Sequence, residues 1–121
     1  MKLDNNSAIP IYIQIAELIE DQILEGIIEE EEQVYSTNEL SVLLHVNPAT
    51  ARKGLNLLVD DGIVYKKRGV GMFVKKGAVE IIKSKRMEDF FNKYIMEMLQ
   101  EGKKLGISKK DVIEMIKSYK G

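Results

Sequence analysis

The chain has 121 residues, 45% of them hydrophobic and 31% charged, with no cysteine and one histidine, His45. That balance belongs to a folded globular chain with room for one small domain and an appendage. Without thiols, disulfides, thiolate metal sites, iron–sulfur clusters and cysteine nucleophiles are excluded, and a net charge of −1 conceals a segregation of charge along the sequence.

Residues 1–51 hold one lysine against ten acids, residues 52–76 hold seven cations against two acids, and residues 77–121 hold ten cations against seven acids. A polyanion responds to such a local block, because charges beyond roughly 8–10 Å are screened. The N-terminal MKLDNNSAIP lacks a basic segment leading into an apolar stretch and a small-residue cleavage site. No run approaches the ~18 apolar residues of a membrane span. The expectation is a cytoplasmic protein with no membrane partner.

In chain order, Pro10 opens a helix whose Tyr12, Ile15, Ala16, Ile19 and Ile23 recur at helical spacing, with Gly26 as its left-handed stop. Glu29 to Glu32 read as a solvated loop; consecutive acids there do not have the spacing of a calcium loop, and no metal site is expected. Ser36 and Glu39 form an S-x-x-E capping box that starts a short helix through Leu40, Leu43 and Leu44. Asn47 as N-cap and Pro48 at the first helical position start the next one. On its wheel Ala51, Leu55 and Leu58 gather on one side and Ala49, Arg52, Lys53 and Asn56 on the other, and Gly62 closes it.

After Gly62 the pattern turns to β: Ile63-Val64-Tyr65, the cations Lys66, Lys67 and Arg68, a Gly69-Val70-Gly71 turn, then Met72-Phe73-Val74. Helix, short helix, tight turn, helix, hairpin is the layout of a winged helix-turn-helix. There the third helix enters the DNA major groove and the hairpin, or wing, lies along the backbone or minor groove. The fold expected is mainly α with a small β-hairpin: a winged helix-turn-helix domain over residues 1–77 and a two-helix dimerisation tail over residues 78–121.

From Ile9 to Val74 the chain resembles the N-terminal DNA-binding domain of the GntR family of bacterial transcription regulators. The pieces that carry this are IPIYIQIAELIEDQILEG, STNELSVLLHVNPATARKGLNLLVDDGIV and YKKRGVGMFV. The short tail resembles the YtrA-type subfamily, which implies a homodimeric repressor, often of a transporter operon, acting on double-stranded operator DNA. Arg52, Thr50, Gly69 and Gly71 match the family's pattern. The chain departs from it at Val34-Tyr35-Ser36, where Leu-Pro-Ser is usual, and at Asn38 and Asn47-Pro48, where arginines are common. Those departures imply an operator different from those of better-known members.

Each contact also has a physical role of its own. Lys53, Lys66, Lys67 and Arg68 suit phosphate neutralisation, which is salt-sensitive and blind to sequence. Arg52 suits bidentate reading of guanine, a contact worth roughly 1–3 kcal/mol of discrimination. Asn56 suits adenine or is simply an exposed polar residue; Ser36 and Thr50 can donate to phosphate, Ser36 more readily serving as a cap. Gly69 and Gly71 let the backbone approach DNA closely. Thr37, Asn38, Asn47 and Ala49, at the starts of the two helices, complete the expected DNA-binding set.

In the tail, Met87, Phe90, Phe91, Tyr94, Ile95, Met98 and Leu99 form one helical stripe on a helix of about 18–20 residues. Ser108 and Asp111 cap a second helix carrying Val112, Ile113, Ile116 and Tyr119. Two helices cannot enclose so wide an apolar face, so a second copy is the expected cover, with Ile113 and Ile116 joining the stripe at the seam. Packing within the chain is the alternative. No cofactor is indicated, and a small-molecule effector, if one exists, belongs at that seam. One histidine and acids on helix faces offer no catalytic centre, so an enzyme is not expected. The rival reading is a winged helix that binds protein or RNA; it is weakened because Tyr65 and Phe73, at strand positions, suit the core better than a stacking platform.

Overall fold

The computed structural model describes residues 1–121 and forms two compact units, Met1–Lys83 and Ser84–Gly121. In the first unit, α1 (Ile11–Leu24) presents Ile15, Ala16, Ile19 and Ile23 to the core and stops at Gly26, whose φ is +79°. The buried Gln14 pins the preceding arm. Its Oε1 accepts from the Asp4 amide at 2.8 Å, and its Nε2 donates to the carbonyls of Asp4 and Ile9 at 2.9 and 2.8 Å.

Helix α2 (Thr37–Leu44) begins with the expected capping box, both halves of which are formed between Ser36 and Glu39. It ends on His45 in the left-handed conformation at φ 54°. Helix α3 (Pro48–Asp60) starts where the Asn47 carboxamide accepts from the Ala49 amide at 2.8 Å. It buries Ala51, Gly54, Leu55 and Leu58. Gly54 lets α1 cross closely, since a Cβ there would fall 2.9 Å from Ile15 Cγ2 and 3.0 Å from the Tyr12 carbonyl oxygen.

Strands β1 (Val64–Lys67) and β2 (Gly71–Val74) pair antiparallel, with Val64 opposite Val74 and Lys67 opposite Gly71. Tyr65 and Phe73, directly paired and half-buried, stack with ring centroids 6.0 Å apart. The hydrophobic core joins the apolar faces of α1 and α3 to Leu40, Ile63, Val64 and Val74. Ala78 and Ile82, in the first turns of α4 (Ala78–Phe90), complete it.

The acidic stretch is a loop, with Glu29, Glu31 and Glu32 exposed to solvent as composition suggests, but its backbone and carboxylates are also engaged with the rest of the unit. The Glu31 amide donates to the Val74 carbonyl, the Val74 amide to Glu32, and the Val34 amide to Met72, each at 2.8 Å, so this segment adds a third extended piece to the hairpin. Gln33 pairs with Phe73 within it. The carboxylates of Glu30, Glu31 and Glu32 also have partners. The Glu32 carboxylate accepts from the Glu29 amide at 2.7 Å, and Glu31 accepts from the Tyr65 hydroxyl at 3.1 Å. Glu30 accepts from the Gly77 and Val79 amides at 3.0 and 3.1 Å, meeting otherwise unpaired donors at the start of α4. These two hydrogen bonds hold the Glu30 carboxyl below its ordinary pKa. Periodicity could not reveal the Glu30 and Glu31 partnerships, because they lie between segments distant in sequence.

In the second unit, the end of α4 passes into a π-helical turn (Phe91–Ile95), then α5 (Met96–Lys104) and α6 (Lys109–Ser118). The π-turn corrects the expectation of one regular stripe. Its Met96 amide bonds back to the Phe91 carbonyl, which inserts one residue and shifts the register of everything after it. Gly106, at φ +72°, turns the chain between α5 and α6. The expected Ser108–Asp111 capping box starts α6, with both of its hydrogen bonds formed. Gly102 and Val112 are buried. By contrast Met87, Phe90, Phe91, Tyr94, Met98, Ile113 and Ile116 are exposed, Phe91 at 56% and Ile116 at 58%, while Ile95 and Leu99 are half-buried.

Candidate nucleic-acid interface

The amphipathic wheel of α3 is realised in three dimensions. Ala51, Leu55 and Leu58 are sealed against the core, whereas Ala49, Arg52, Lys53 and Asn56 face outward and are exposed. The hairpin carries Lys66, Lys67 and Arg68 into solvent along with Gly69. Between the start of α2, the outer side of α3 and the wing lies a cleft of about 290 Å³. Ser36, Thr37, Arg52, Asn56, Lys66 and Gly71 share its walls, joined by Gln33, Tyr35, Val70 and Met72. Six of the expected residues, drawn from three separate elements, thus meet in one place.

Asn38, Asn47, Ala49, Thr50, Lys53, Lys67, Arg68 and Gly69 lie outside the walls of that cleft. Asn47 is engaged in capping α3, and Thr50 is half-buried. The Lys53 ammonium sits 4.2 Å from the centroid of the Tyr12 ring, a cation–π contact that ties the outer side of α3 to the first turn of α1. Lys67 lies 5.0 Å from the centroid of Phe73. Both lysines are exposed in spite of these contacts.

Among the wall residues outside the expected DNA-binding set, Gln33 and Tyr35 bring polar side chains. Tyr35 stands at the position where the family pattern has proline, and its hydroxyl donates to Gln22 Oε1 at 2.8 Å. Gln33 reaches the wing tip, where its Nε2 donates to the Val70 carbonyl at 3.1 Å. The β-forming pair Val34-Tyr35 beside Gln33 was the available signal for an extended segment there.

Other features of this unit are structural. Tyr65 and Phe73 stack on each other, and burial, followed by the hydrogen bond to Glu31, pushes the Tyr65 hydroxyl pKa up. His45 serves as the left-handed cap of α2.

The sequence pattern of bacterial regulatory proteins of the gntR family matches residues 11–74, which spans α1 through β2. The chain belongs to the gntR family. Its fold and family are those of a winged helix-turn-helix regulator and not of an enzyme.

Among the family's solved structures, a GntR-family transcriptional regulator from Bacteroides thetaiotaomicron is similar, with a TM-score of 0.75 and 36% identity over 88% of this chain and 93% of that one. AraR(DBD) in complex with operator ORR3 superposes with a TM-score of 0.54 at 32% identity, covering 61% of this chain and 89% of that one. The HTH-type transcriptional repressor NagR of Bacillus subtilis (strain 168) is 34% identical over 80 residues, 66% of this chain. The chain spans only 33% of NagR's length. The HTH-type transcriptional regulator YhcF of the same organism is matched along 97% of both chains at 29% identity.

Proposed function

We propose that this chain is a sequence-specific double-stranded DNA-binding transcription regulator, acting as a homodimeric repressor on a palindromic operator. The observation that carries the reading is the cleft: Arg52 and Asn56 on the outer side of α3 stand beside Lys66 of the wing and Ser36 and Thr37 at the start of α2. An exposed helix supplies side chains for base edges, while flanking cations and hydroxyls supply phosphate partners. AraR(DBD), which shares this fold at 32% identity, is in complex with an operator. NagR and YtrA, similar over the same region, are repressors.

In this reading Arg52 reads guanine, Asn56 addresses adenine, and Ser36, Thr37, Asn38, Thr50, Lys53, Lys66, Lys67 and Arg68 lie along the phosphates. Asn47 and Ala49 border the groove, and Gly69 and Gly71 allow the wing backbone to approach. Residues 1–77 act as the DNA-binding part and residues 78–121 as the dimerisation part. The exposed Phe90, Phe91, Tyr94 and Met87 support a second copy as the cover for the tail. A paired head binds two half-sites together and so raises effective concentration at the second. The resemblance to YtrA-type regulators supports a transporter operon as the target and the cytoplasm as the location. No helix of the chain is long and apolar enough to cross a membrane.

Selection of bound fragments from the source genome tests this directly. Recovery of one palindromic motif, including a copy upstream of the protein's own operon, is the expected result. Enrichment of no motif, or of single-stranded RNA in a parallel selection, would overturn it.

A further inference from the structure

Gln33 lies on the extended segment leading to α2, opposite Phe73 and three residues ahead of the capping Ser36. Its side chain runs along the sheet to the wing tip and donates from Nε2 to the Val70 carbonyl at 3.1 Å. Val70 stands in the turn of the wing, its amide donating to the Lys67 carbonyl at 3.0 Å. On the far side of that turn, Gly71 adopts φ +142°, and a Cβ built there would collide with the Gln33 carboxamide nitrogen. The side chain missing at Gly71 therefore leaves the space that Gln33 occupies. Its carboxamide bonds the turn from outside the hairpin, at the point where the cations Lys67 and Arg68 are displayed.

We propose that Gln33 is a positioning residue for DNA binding, clamping the wing tip to the segment that enters α2 so that Lys67 and Arg68 keep a set relation to the Arg52 side of α3. The inference rests on the wing's being a phosphate-binding element. A two-stranded ribbon has little stability of its own, and its tip gains order from whatever else holds it. Cations on an ordered tip meet phosphates without a further entropic cost on binding, whereas a loose tip must be immobilised at that moment. Gln33 contributes the ordering and not the charge.

The test compares Gln33→Met, which keeps length and removes the donor, with Gly71→Ala, Lys67→Ala and the double variant Gln33→Ala/Gly71→Ala. The readouts are amide relaxation at Gly69–Gly71 in the free protein and affinity for a random-sequence duplex across a salt series. Gln33→Met is expected to loosen the Val70 and Gly71 amides and weaken duplex binding about three- to tenfold, the range one hydrogen bond supplies, with the melting temperature unchanged. Gly71→Ala is expected to do the same by displacing the carboxamide, and adding Gln33→Ala to it should cost no further affinity. If Gln33→Met leaves both wing-tip relaxation and affinity at wild-type values while Lys67→Ala makes the salt slope shallower, the clamp is overturned and the DNA reading survives. If Lys67→Ala leaves the slope unchanged while Gln33→Met still loosens the tip, the phosphate-binding reading of the wing fails, and with it the clamp's part in DNA binding.

Discussion

The Glu30 carboxylate accepts the Val79 amide at 3.1 Å, joining the loop before α2 to the first turn of α4 across a sequence separation of 49. With the Gly77 amide on its other oxygen, the group is held in its charged form, and its pKa is lowered. A carboxylate lowered in the folded state contributes stability that is present above its unfolded pKa and lost as pH falls through the folded value. Glu30→Gln is therefore expected to lower the melting temperature at neutral pH. The gap to wild type should close on acidification below about pH 4.5, the ordinary glutamate range. Thermal melts across a pH series check this; a gap that stayed constant down to pH 2 would show that the carboxylate's charge is not what caps α4.

Gly54→Ala places two opposing effects at one position. A helix-interior alanine gains about 0.5–1 kcal/mol over glycine. Against that, a Cβ lying 2.9 Å from Ile15 Cγ2 and 3.0 Å from backbone is overpacked, at a typical cost of about 1–3 kcal/mol. One of these atoms is a main-chain carbonyl, so relaxation is limited and net destabilisation is expected. Chemical denaturation measures it, and a variant as stable as wild type would mean that α1 and α3 can separate at no cost.

Arg52 stands on the exposed side of α3 beside Asn56 and within reach of the cleft. Arg52→Ala is expected to lose about 1–3 kcal/mol of preference for the operator over random duplex, the worth of a bidentate guanine contact. Its effect on random-sequence binding should be smaller. Competition titrations against both duplexes separate the two terms. Equal losses on both would reassign Arg52 to the phosphates.

Lys67 is exposed on the wing with its ammonium 5.0 Å from the Phe73 ring centroid. Lys67→Ala is expected to weaken binding by a similar factor on every sequence and to make the slope of log K against log salt shallower by about 0.9. Anisotropy titrations over a salt series read that slope directly. An unchanged value would move the wing off the duplex.

Phe91 is 56% exposed at the start of the π-turn, beside Phe90 and Tyr94, whose ring centroids are 5.5 Å apart. Phe91→Glu is expected to shift the protein from dimer to monomer in sedimentation at micromolar concentration. A palindromic site should then be bound many times more weakly than before. If the variant sediments as the wild type does, the proposed dimer seam at Phe91 is overturned.

Much of the first unit is legible in its residues because the determining interactions are local. The Ser36–Glu39 box, the Asn47 cap and the stop at Gly26 each satisfy backbone groups within a few residues, as the Ser108–Asp111 box does in the second unit. The helical wheel of α3 likewise decides which side can be buried, and so which side is left to carry Arg52, Lys53 and Asn56. The π-turn at Phe91–Ile95 escapes this logic, since its apolar residues also satisfy a regular helical period.

The amino-acid order by itself determined the limits of α1, α2, α3 and the start of α6, the helix-turn-helix sequence, the hairpin and the exposed side of α3, because hydrophobic period and capping chemistry act over one or two turns. It did not give the length of the first tail helix, expected at about 18–20 residues, which runs on through α4, the π-turn and α5. Folding in three dimensions decided what pairs across long separations. It made Glu30 a cap of α4, tied Glu31 to Tyr65 of the hairpin, set Lys53 over Tyr12, and brought Gln33 to the wing tip. Those partners lie 34 to 49 residues apart for Glu30, Glu31 and Gln33. No local pattern encodes such a meeting, which exists only once the core has drawn α1, α3 and the hairpin together.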